Sequence, residues 1–414
     1  MESFLRNLAK LKIRKEKPFV VGITGSVGKS TAKELIYWVL KEKFSVRRSP
    51  GNYNNEIGLP LAILNFNELQ GKNIFGWLFM LLSALGRIIY ERNYPKILVL
   101  EMASDKPGDI KYLTDIVRPD IAVMTNIGPA HLEAFGTLAK IFAEKRILVD
   151  RLKKAGFAVL NFDDEYLARL GLETKNSVIS YSLEQEADIS AEEIKVGRRG
   201  LSFYLKAEGS LVPVNLKNGA EHLVYSALSA TAVGIALKMN LIEISRGLSK
   251  YLPLKGRTKI FQGIKGSTLI DDSYNSNPVS LKAAINFVSA LKESGEYERM
   301  VFVLGDMLEL GEDSKKYHLE AGTLAGRAAD VLITVGAGAK DFARTAKKER
   351  TEIEIRSFEN AEEATQEVTR ILKPHDLVLV KASQGIRLEK VLEKLLANKQ
   401  DIKKLPRQEK IWKA

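Results

Sequence analysis

The 414-residue sequence contains no cysteine, which excludes disulfide bonds and metal sites built on thiolates. It has no Ser–His–Asp or Cys–His signature of nucleophilic catalysis. It also lacks a recognition-helix pattern and an aromatic-plus-basic RNA motif, so we expect no nucleic-acid partner. The first residues lack the apolar core of a signal peptide, and we therefore expect a cytoplasmic protein.

Acidic residues are outnumbered, 51 against 63 lysines and arginines, which gives a net charge of +12. A tail at 399–414 is basic, as is a run near the N-terminus that comprises Arg6, Lys10, Lys12, Arg14, Lys15 and Lys17. We interpret both as solvated segments. The alternative is contact with an anionic membrane surface or an acidic ligand.

Short apolar runs alternate with amphipathic stretches from residue 18 onward. The predicted strands of the first part are 19–23, 97–100, 121–125 and 158–160, and the predicted helices are 30–40, 108–116 and 138–152. This alternation is typical of βαβ units and a parallel sheet. Residues 188–216 read as hairpins and 221–238 as a long helix. After a Pro- and Gly-containing segment, a second series has strands at 267–270, 300–304, 331–335 and 377–380.

We therefore predict an α/β protein with two folded domains. A central domain at 18–255 carries a mostly parallel sheet, and a Rossmann-like α/β domain follows at 256–398. Basic segments at 1–17 and 399–414 flank them. The central domain contains an apolar insertion at 74–90, whose only charge is Arg87. Seventeen residues lie at the lower edge of what crosses a bilayer, so we expect a buried or interfacial helix.

A glycine-rich loop between a predicted strand and helix is the strongest chemical signal. Its residues are Thr24, Gly25, Ser26, Val27, Gly28, Lys29, Ser30 and Thr31. Backbone amides of such a loop cradle phosphate, the lysine neutralises it, and a hydroxyl holds Mg²⁺. The common spacing places glycine at 23, where this chain has isoleucine, so the loop is a variant form. The alternative is a plain glycine turn.

Two further residues follow predicted strands near this loop. Glu101 ends the run 97–100, where a carboxylate can reach a Mg²⁺ held over a sheet edge. His131, one of four histidines, lies in a Gly-Pro loop after the next strand. The alternative for His131 is a loop histidine that bonds only to backbone.

Five motifs in one order give the chain a family resemblance. They are TGSVGKS, EM at Glu101, TNIGPAHLE, DDSYNSNP at 271–278 and GDMLELG at 305–311. Together they resemble the Mur ligases over residues 18–396. GNYNNEIGLP at 51–60 and KASQGIRLEK at 381–390 resemble the branch that adds D-alanyl-D-alanine to a muramoyl tripeptide. The resemblance implies an ATP-dependent peptide ligase of peptidoglycan synthesis that makes an acyl-phosphate and passes it to an amine.

The resemblance also implies roles for individual residues. Lys29, His131 and Lys145 match catalytic positions, Lys145 as a carbamate. Beside the loop, ATP contacts are implied for Arg257, Asp272 and Asn275. The implied Mg²⁺ ligands are Ser30, Glu101, His131 and Lys145. The implied substrate loop contains Asn52, Asn54, Asn55 and Glu56. Without its modification, Lys145 reads as one more solvated helix lysine.

Three departures from the family pattern keep alternatives open. The phosphate loop begins at residue 24, where the family has a UDP-sugar-binding domain before it, so we expect a different substrate handle or a partner chain that supplies one. Leu223 and Ser226 stand where the family has asparagines near adenine. The apolar stretch has no counterpart. The alternatives are a Mur-like ligase for another substrate, of glutamate-adding or archaeal cell-wall type, and a non-catalytic nucleotide-binding partner. The retained Lys29, Glu101, His131 and Lys145 argue against the latter.

Overall fold

The computed structural model describes residues 2–66, 74–197, 200–217, 219–293 and 295–408. Within these ranges the chain forms two sheets. The first contains β1 Phe19–Thr24, β2 Val46–Arg48, β3 Ile97–Glu101, β4 Ile121–Met124, β5 Phe157–Asn161, β6 Ser177–Tyr181, β7 Ile189–Gly197, β8 Gly200–Ala207 and β9 Ser210–Leu216. The second contains β10 Lys259–Gln262, β11 Thr268–Asp271, β12 Arg299–Gly305, β13 Val331–Val335, β14 Glu354–Phe358 and β15 Asp376–Lys381.

Helices cover both faces of each sheet. Around the first sheet lie α1 Glu2–Glu16, α2 Lys29–Lys41, α3 Gly58–Ile63, α4 Ile74–Tyr90, α5 Asp109–Ile116, α6 Leu132–Phe135, α7 Leu138–Asp150, α8 Glu165–Glu173, α9 Leu223–Ala236 and α10 Leu241–Leu248. Around the second lie α11 Pro278–Lys292, α12 Ser314–Ala328, α13 Lys340–Glu349, α14 Ala361–Ile371 and α15 Glu389–Leu395.

The first sheet has the order β2-β3-β1-β4-β5-β6-β7-β8-β9. Its strands from β2 to β7 pair in parallel, and β7, β8 and β9 form the predicted antiparallel hairpins. The chain leaves β1 towards β2 and β3 on one side and continues to β4 on the other. The carboxyl end of β1 is therefore a topological switch point, where open α/β sheets bind ligands.

The second sheet has the order β10-β11-β15-β12-β13-β14, antiparallel at β10 and parallel elsewhere. Each sheet has one apolar cluster on each face, as expected when helices cover a parallel sheet on both sides. The predicted α/β class with two mostly parallel sheets is confirmed. The domain limits 18–255 and 256–398 stay a prediction.

Both basic ends differ from the solvated segments that the sequence predicts. Residues 2–16 form α1, whose Leu5, Leu8 and Lys12 are buried because they repeat at helical spacing and pack on α3 and α4. At the other end, Leu405 and Arg407 are buried. The solvated interpretation is therefore wrong for Lys12 and Arg407, whereas Arg14, Lys15 and Lys17 are exposed; residues 409–414 lie outside the described residues.

The apolar stretch 74–90 is helical, as predicted, and forms α4. Its buried residues Met80, Ala84 and Ile88 join Leu5 and Leu8 of α1 in a separate apolar cluster. No helix in the described part of the chain has the length and hydropathy needed to cross a membrane.

Candidate active site

The phosphate loop connects β1 to α2 and needs glycine at two positions. Gly25 has φ 145°, and a Cβ there would lie 2.0 Å from Thr125 Oγ1. Gly28 has φ 83° and immediately precedes α2. Both values lie in the region that side-chain-bearing residues rarely adopt. Both glycines come just before a lysine and a hydroxyl at the start of a helix, the arrangement expected of a phosphate loop rather than of a plain turn.

The segment after β4 holds the loop in place. The Ser26 hydroxyl donates to the Gly128 carbonyl at 2.9 Å, and the Val27 amide donates to Asn126 Oδ1 at 2.9 Å. The Thr125 hydroxyl donates to the Val27 carbonyl at 2.5 Å. The first amides of α2 have no acceptor within the helix and carry its positive dipole end. The loop is therefore a preformed anion site.

Lys29 lies half-buried over this loop. Its Nζ donates to the carbonyl oxygens of Gly25 at 2.7 Å and Ser26 at 3.2 Å. Burial lowers the pKa of Lys29, and the nearby Glu101 carboxylate opposes that shift. The lysine is thus positioned within reach of any phosphate that the loop amides hold.

Glu101 lies at the end of β3, next to the phosphate loop, and is buried. Its Oε1 accepts from the Ser30 hydroxyl at 3.2 Å and from Asn54 Nδ2 at 3.0 Å. Lys33 Nζ lies 3.2 Å from the other oxygen. Burial pushes the pKa of Glu101 up, but Lys33, Lys29 and Asn54 outweigh it, so the net pKa is lowered. The carboxylate is therefore ionised.

Lys145 is buried in α7, with 3% of its surface exposed. Its Nζ donates to the Ser104 hydroxyl at 2.9 Å. Burial, and secondly the charge of Lys29, lower the pKa of Lys145 to about 7. The solvated-face alternative is therefore wrong. A buried lysine with a neutral amine is the form that reacts with CO₂ to give a carbamate.

His131 lies between carboxylates from the two halves of the chain. Its Nδ1 is 2.7 Å from Glu309 Oε2, which follows β12, and its Nε2 is 3.6 Å from Asp105 Oδ1. The hydrogen bond from His131 lowers the pKa of Glu309. The histidine has φ 57°, and its side-chain partners are carboxylates rather than the backbone groups of the alternative interpretation.

The predicted Mg²⁺ ligands occupy one edge of the sheet without surrounding one point. Ser30 contacts Glu101, Lys145 contacts Ser104, and His131 contacts Glu309. Among the described residues no group of three His, Cys, Asp or Glu has metal-binding geometry. One buried oxygen at this edge, Thr24 Oγ1, has no hydrogen-bond partner in the described part of the chain, and Glu101 Oε2 has the Lys33 ammonium at 3.2 Å. Oxygen donors of this kind suit Mg²⁺.

A cavity of about 210 Å³ lies between the two sheets, directly beside the phosphate loop. Gly28 and Thr31 line it from the phosphate loop and α2, and Arg257 and Asp272 line it from the second half of the chain. Further lining residues are Tyr181, Ala220, His222, Leu223, Tyr225 and Ser226. Arg257 and Asp272, two of the predicted nucleotide-binding residues, thus line the same cavity as the phosphate loop. Asn275, the third, is exposed and does not line the cavity.

Lys381 completes the wall that the second sheet contributes. Its Nζ donates to Asp272 Oδ2 at 2.5 Å and to the Asn275 carbonyl at 2.8 Å. Burial lowers the pKa of Lys381, and the Asp272 carboxylate opposes this. The pair fixes Asp272 against the cavity.

A second cavity, of about 640 Å³, lies on the other side of Arg257. Ser30 and Asn52 line it from the first sheet, and Tyr274 and Arg407 from the second. The Arg257 guanidinium lies 4.5 Å from the centroid of the Tyr274 ring. Arg407 is anchored by Glu389 at 2.6 Å and by the Ser273 carbonyl at 2.7 Å.

The four predicted substrate residues separate in the structure. Asn52 and Asn55 line the 640 Å³ cavity, and Asn55 Oδ1 also accepts from the Gly58 amide at the start of α3. Asn54 contacts Glu101 and belongs to the phosphate side. Glu56 lies apart, at a small cleft that Asp105 and Tyr112 also line.

Profiles of known families match most of the chain. The Mur ligase middle domain matches residues 23–234, and the Mur ligase glutamate ligase domain matches residues 256–384. The chain belongs to the Mur ligase family. Members of this family are ATP-dependent amide ligases, and so is this chain.

Individual relatives of this Mur ligase agree with the profiles. The UDP-N-acetylmuramoyl-tripeptide--D-alanyl-D-alanine ligase of Bacillus subtilis is 29% identical over 396 residues, which are 95% of this chain and 79% of that protein. The structure of MurF from Acinetobacter baumannii has TM-score 0.79 and 27% identity, covering 94% of this chain and 79% of that one. The structure of MurF from Thermotoga maritima in complex with ADP has TM-score 0.76 and 29% identity. The match covers 95% of this chain and 83% of that one.

Several residues of this Mur ligase site were not predicted from the sequence. Lys33 and Ser104 contact Glu101 and Lys145, Lys381 holds Asp272, and Glu309 reaches His131 from the second half. Lys33 follows Lys29 by one helical turn on α2, so its position next to the site could have been inferred from that spacing. The others depend on contacts between distant segments.

Proposed function

We propose that this Mur ligase joins D-alanyl-D-alanine to a muramoyl-tripeptide-type acceptor in peptidoglycan synthesis. The observation that carries the proposal is the pair of adjoining cavities. One is lined by the phosphate loop together with apolar residues such as Ala220 and Leu223, and the other has room for a peptide. Arg257 lines both, so a phosphate at the loop and a carboxylate in the larger cavity would meet at this residue. The activity of the Bacillus subtilis relative, a UDP-N-acetylmuramoyl-tripeptide--D-alanyl-D-alanine ligase, supports the same substrates.

In the proposed reaction the acceptor carboxylate attacks the γ-phosphorus of ATP. The bond to ADP breaks, and an acyl-phosphate forms. The amine of the dipeptide then attacks the acyl carbon, phosphate leaves, and the amine gives up a proton to make the amide. Such chemistry depends on positioning and positive charge more than on acid–base groups. Lys29 and the loop amides supply that charge on the phosphate side.

The residues at the sheet edge fit Mg²⁺. Ser30 Oγ and Glu101 would hold the ion, and Asn54 and Lys33 orient the Glu101 carboxylate. When bound, Mg²⁺ spreads the negative charge of the phosphates. His131 and a carbamylated Lys145 are the further ligands that we propose. In the unmodified chain, Lys145 instead donates to Ser104.

The larger cavity is the proposed acceptor and amine site. Asn52, Tyr274 and Arg407 bring amide, phenol and guanidinium groups to its lining. An arginine is suited to a carboxylate because its planar fork can donate two parallel hydrogen bonds. Asn55 remains in this proposal. Asn54 is assigned to the Mg²⁺ site instead, because it donates to Glu101. Glu56 has no substrate role in this proposal, because it lies at the separate small cleft.

Phosphate release tests the proposal. ATP would be supplied with UDP-N-acetylmuramoyl-tripeptide and with D-alanyl-D-alanine, separately and together. We expect stoichiometric phosphate and amide only when both are present. Turnover with glutamate in place of the dipeptide would instead favour the other Mur-like substrate. GTP and CTP in place of ATP would test base selection by Leu223 and Ser226.

A further inference from the structure

Helix α4 exposes an apolar stripe opposite the side that it buries. Phe79, Leu82, Ile89 and Tyr90 have exposed fractions of 65%, 59%, 60% and 78%. Leu85, at 36%, lies between them on the same helix. A helix that is apolar all round is normally buried on all sides, yet the described part of the chain covers only one side of α4. Exposed apolar patches of this kind mark interaction surfaces.

Helix α1 extends this stripe. Phe4 and Leu11 are 48% and 49% exposed, and they are seven residues apart, so they share one side of α1. Lys15 lies four residues further on that side, and its Nζ donates to the Ile88 and Ile89 carbonyls of α4. Lys15 therefore joins this exposed side of α1 to the C-terminal end of α4.

Basic side chains stand at one end of the same surface. Lys12 donates to the Arg87 carbonyl, which brings the C-terminal ends of α1 and α4 together. Arg14 and Lys17 lie at that end of α1, and Arg92 follows α4; all three are exposed. Within the described residues none of the three has an acidic partner.

We propose that the α1/α4 face docks on the surface of an anionic phospholipid bilayer. The apolar stripe would enter the boundary between headgroups and acyl chains, and the basic end would contact the headgroup phosphates. Tyr90 lies where the stripe meets the basic end, the position that amphipathic aromatic rings take at a membrane interface.

The geometry favours lying on the bilayer over crossing it. Seventeen helical residues span about 25 Å, against roughly 30 Å of hydrocarbon. One side of α4 is also occupied by α1 and α3 within the protein. A symmetric contact between two copies with their helices parallel would bring the two basic ends together, which disfavours that arrangement. The apolar stripe also offers few groups for the hydrogen bonds that protein interfaces carry.

Co-sedimentation of the full chain with vesicles tests the docking. One vesicle set is phosphatidylcholine alone, and the other contains added phosphatidylglycerol. We expect binding to the anionic set at low ionic strength and its loss at high ionic strength. Leu82→Ser/Ile89→Ser should weaken that binding about tenfold or more. The matched control is Leu172→Ser/Ile242→Ser, at residues 87% and 65% exposed elsewhere, and it should bind as wild type does.

A second pair of variants addresses the basic end. Arg14→Gln/Lys17→Gln should reduce the preference for anionic over neutral vesicles, whereas Lys175→Gln/Lys348→Gln should leave it unchanged. Sedimentation velocity without lipid shows whether the stripe joins two copies. The proposal is overturned if wild type fails to bind anionic vesicles at low ionic strength, or if the stripe and control variants bind equally. Self-association that only the stripe variant abolishes, without vesicle binding, assigns the face to a second copy and also overturns it.

Discussion

Two buried lysines, one beside each sheet, have nearly equal exposure and different partners. Lys145 is 3% exposed and Lys381 is 2% exposed. Lys381 donates to the Asp272 carboxylate at 2.5 Å, so its charge is balanced within the fold. Lys145 donates to the Ser104 hydroxyl, and its pKa falls to about 7. Lys381 thus forms a structural ion pair beside the nucleotide cavity, whereas Lys145 is a buried amine whose pKa is lowered by burial.

The difference between the two lysines shows that the partner of a buried amine decides whether it serves stability or reactivity. A buried charge that is paired persists in the folded state, whereas one with only neutral partners gives up its charge. Leaving a lysine without a carboxylate in the interior costs stability, and proteins accept that cost mainly where reactivity is needed. Thr24 Oγ1, at the start of the phosphate loop, is likewise a buried polar atom, without a hydrogen-bond partner among the described residues.

A third lysine gives the largest expected effect. Lys29→Ala should lower ATP-dependent ligation by about 10⁴-fold, because it removes the cation over the transferred phosphate. Folding should be retained, since the Lys29 Nζ contacts only two loop carbonyls. Single-turnover rates and a thermal melt measure both effects. Lys41→Ala at the other end of α2 is the control. Ligation in Lys29→Ala at the wild-type rate would remove the phosphate loop from the reaction.

Lys145→Ala should lower kcat by about 10³-fold through loss of the proposed carbamate. Its stability should be unchanged or higher, because a poorly partnered buried amine is removed. Short carboxylic acids should restore part of the activity by supplying the missing anion. Wild-type activity without added acid would show that Lys145 has no catalytic role and that the comparison with Lys381 concerns stability alone.

Lys381→Met should lower the free energy of unfolding, in contrast to Lys145→Ala. It leaves Asp272 buried without its cation, which costs about 3 kcal/mol in the free energy of unfolding. Denaturant unfolding measures this cost, with Lys340→Met as control, because the Lys340–Glu359 pair is exposed and contributes little. A loss no greater than in the control would mean that the buried pair adds nothing to the stability of the fold.

Asp271 shows the same principle with the opposite charge and a smaller effect. It is buried with hydroxyl and amide donors, and burial raises its pKa from 3.8 to about 6. The folded state therefore binds more protons than the unfolded state between about pH 4 and pH 6. Stability should fall as pH rises through that window, by about 2 kcal/mol.

Asp271→Asn should flatten this pH dependence, because an amide does not titrate. Unfolding free energies measured at intervals between pH 4 and pH 7 test it, with Asp401→Asn near the C-terminus as the control. An equally steep slope in Asp271→Asn would assign the pH dependence to other groups.

The sequence predicted the elements that carry strong local signals. Strands such as β1, β4 and β13 are continuous apolar runs because both faces of a parallel sheet are covered. The phosphate loop was located because its glycines and lysine must be adjacent in sequence. The short edge strand β2 and the outer strand β14 were missed, since they are only partly buried and lack such runs.

Site contacts made across the fold could not be predicted in the same way. Lys145 looks like a solvated helix lysine in sequence, and only its packing against Ser104 buries it. Arg407 lies in a basic tail that folds back onto Glu389. The burial of one side of helix α1 was not predicted for a different reason. Leu5, Leu8 and Lys12 repeat at helical spacing, but the charges between them favoured a solvated interpretation.

The transfer of a carboxylate oxygen to phosphate tests the central claim most directly. A muramoyl-tripeptide acceptor with ¹⁸O in its terminal carboxylate would be incubated with ATP, Mg²⁺, D-alanyl-D-alanine and the enzyme. If the carboxylate attacks the γ-phosphorus, each released phosphate carries one ¹⁸O and the acyl carbon keeps the other oxygen in the amide. Mass spectrometry of the phosphate reads this out. Unlabelled phosphate alongside amide product would contradict an acyl-phosphate and with it the proposed mechanism.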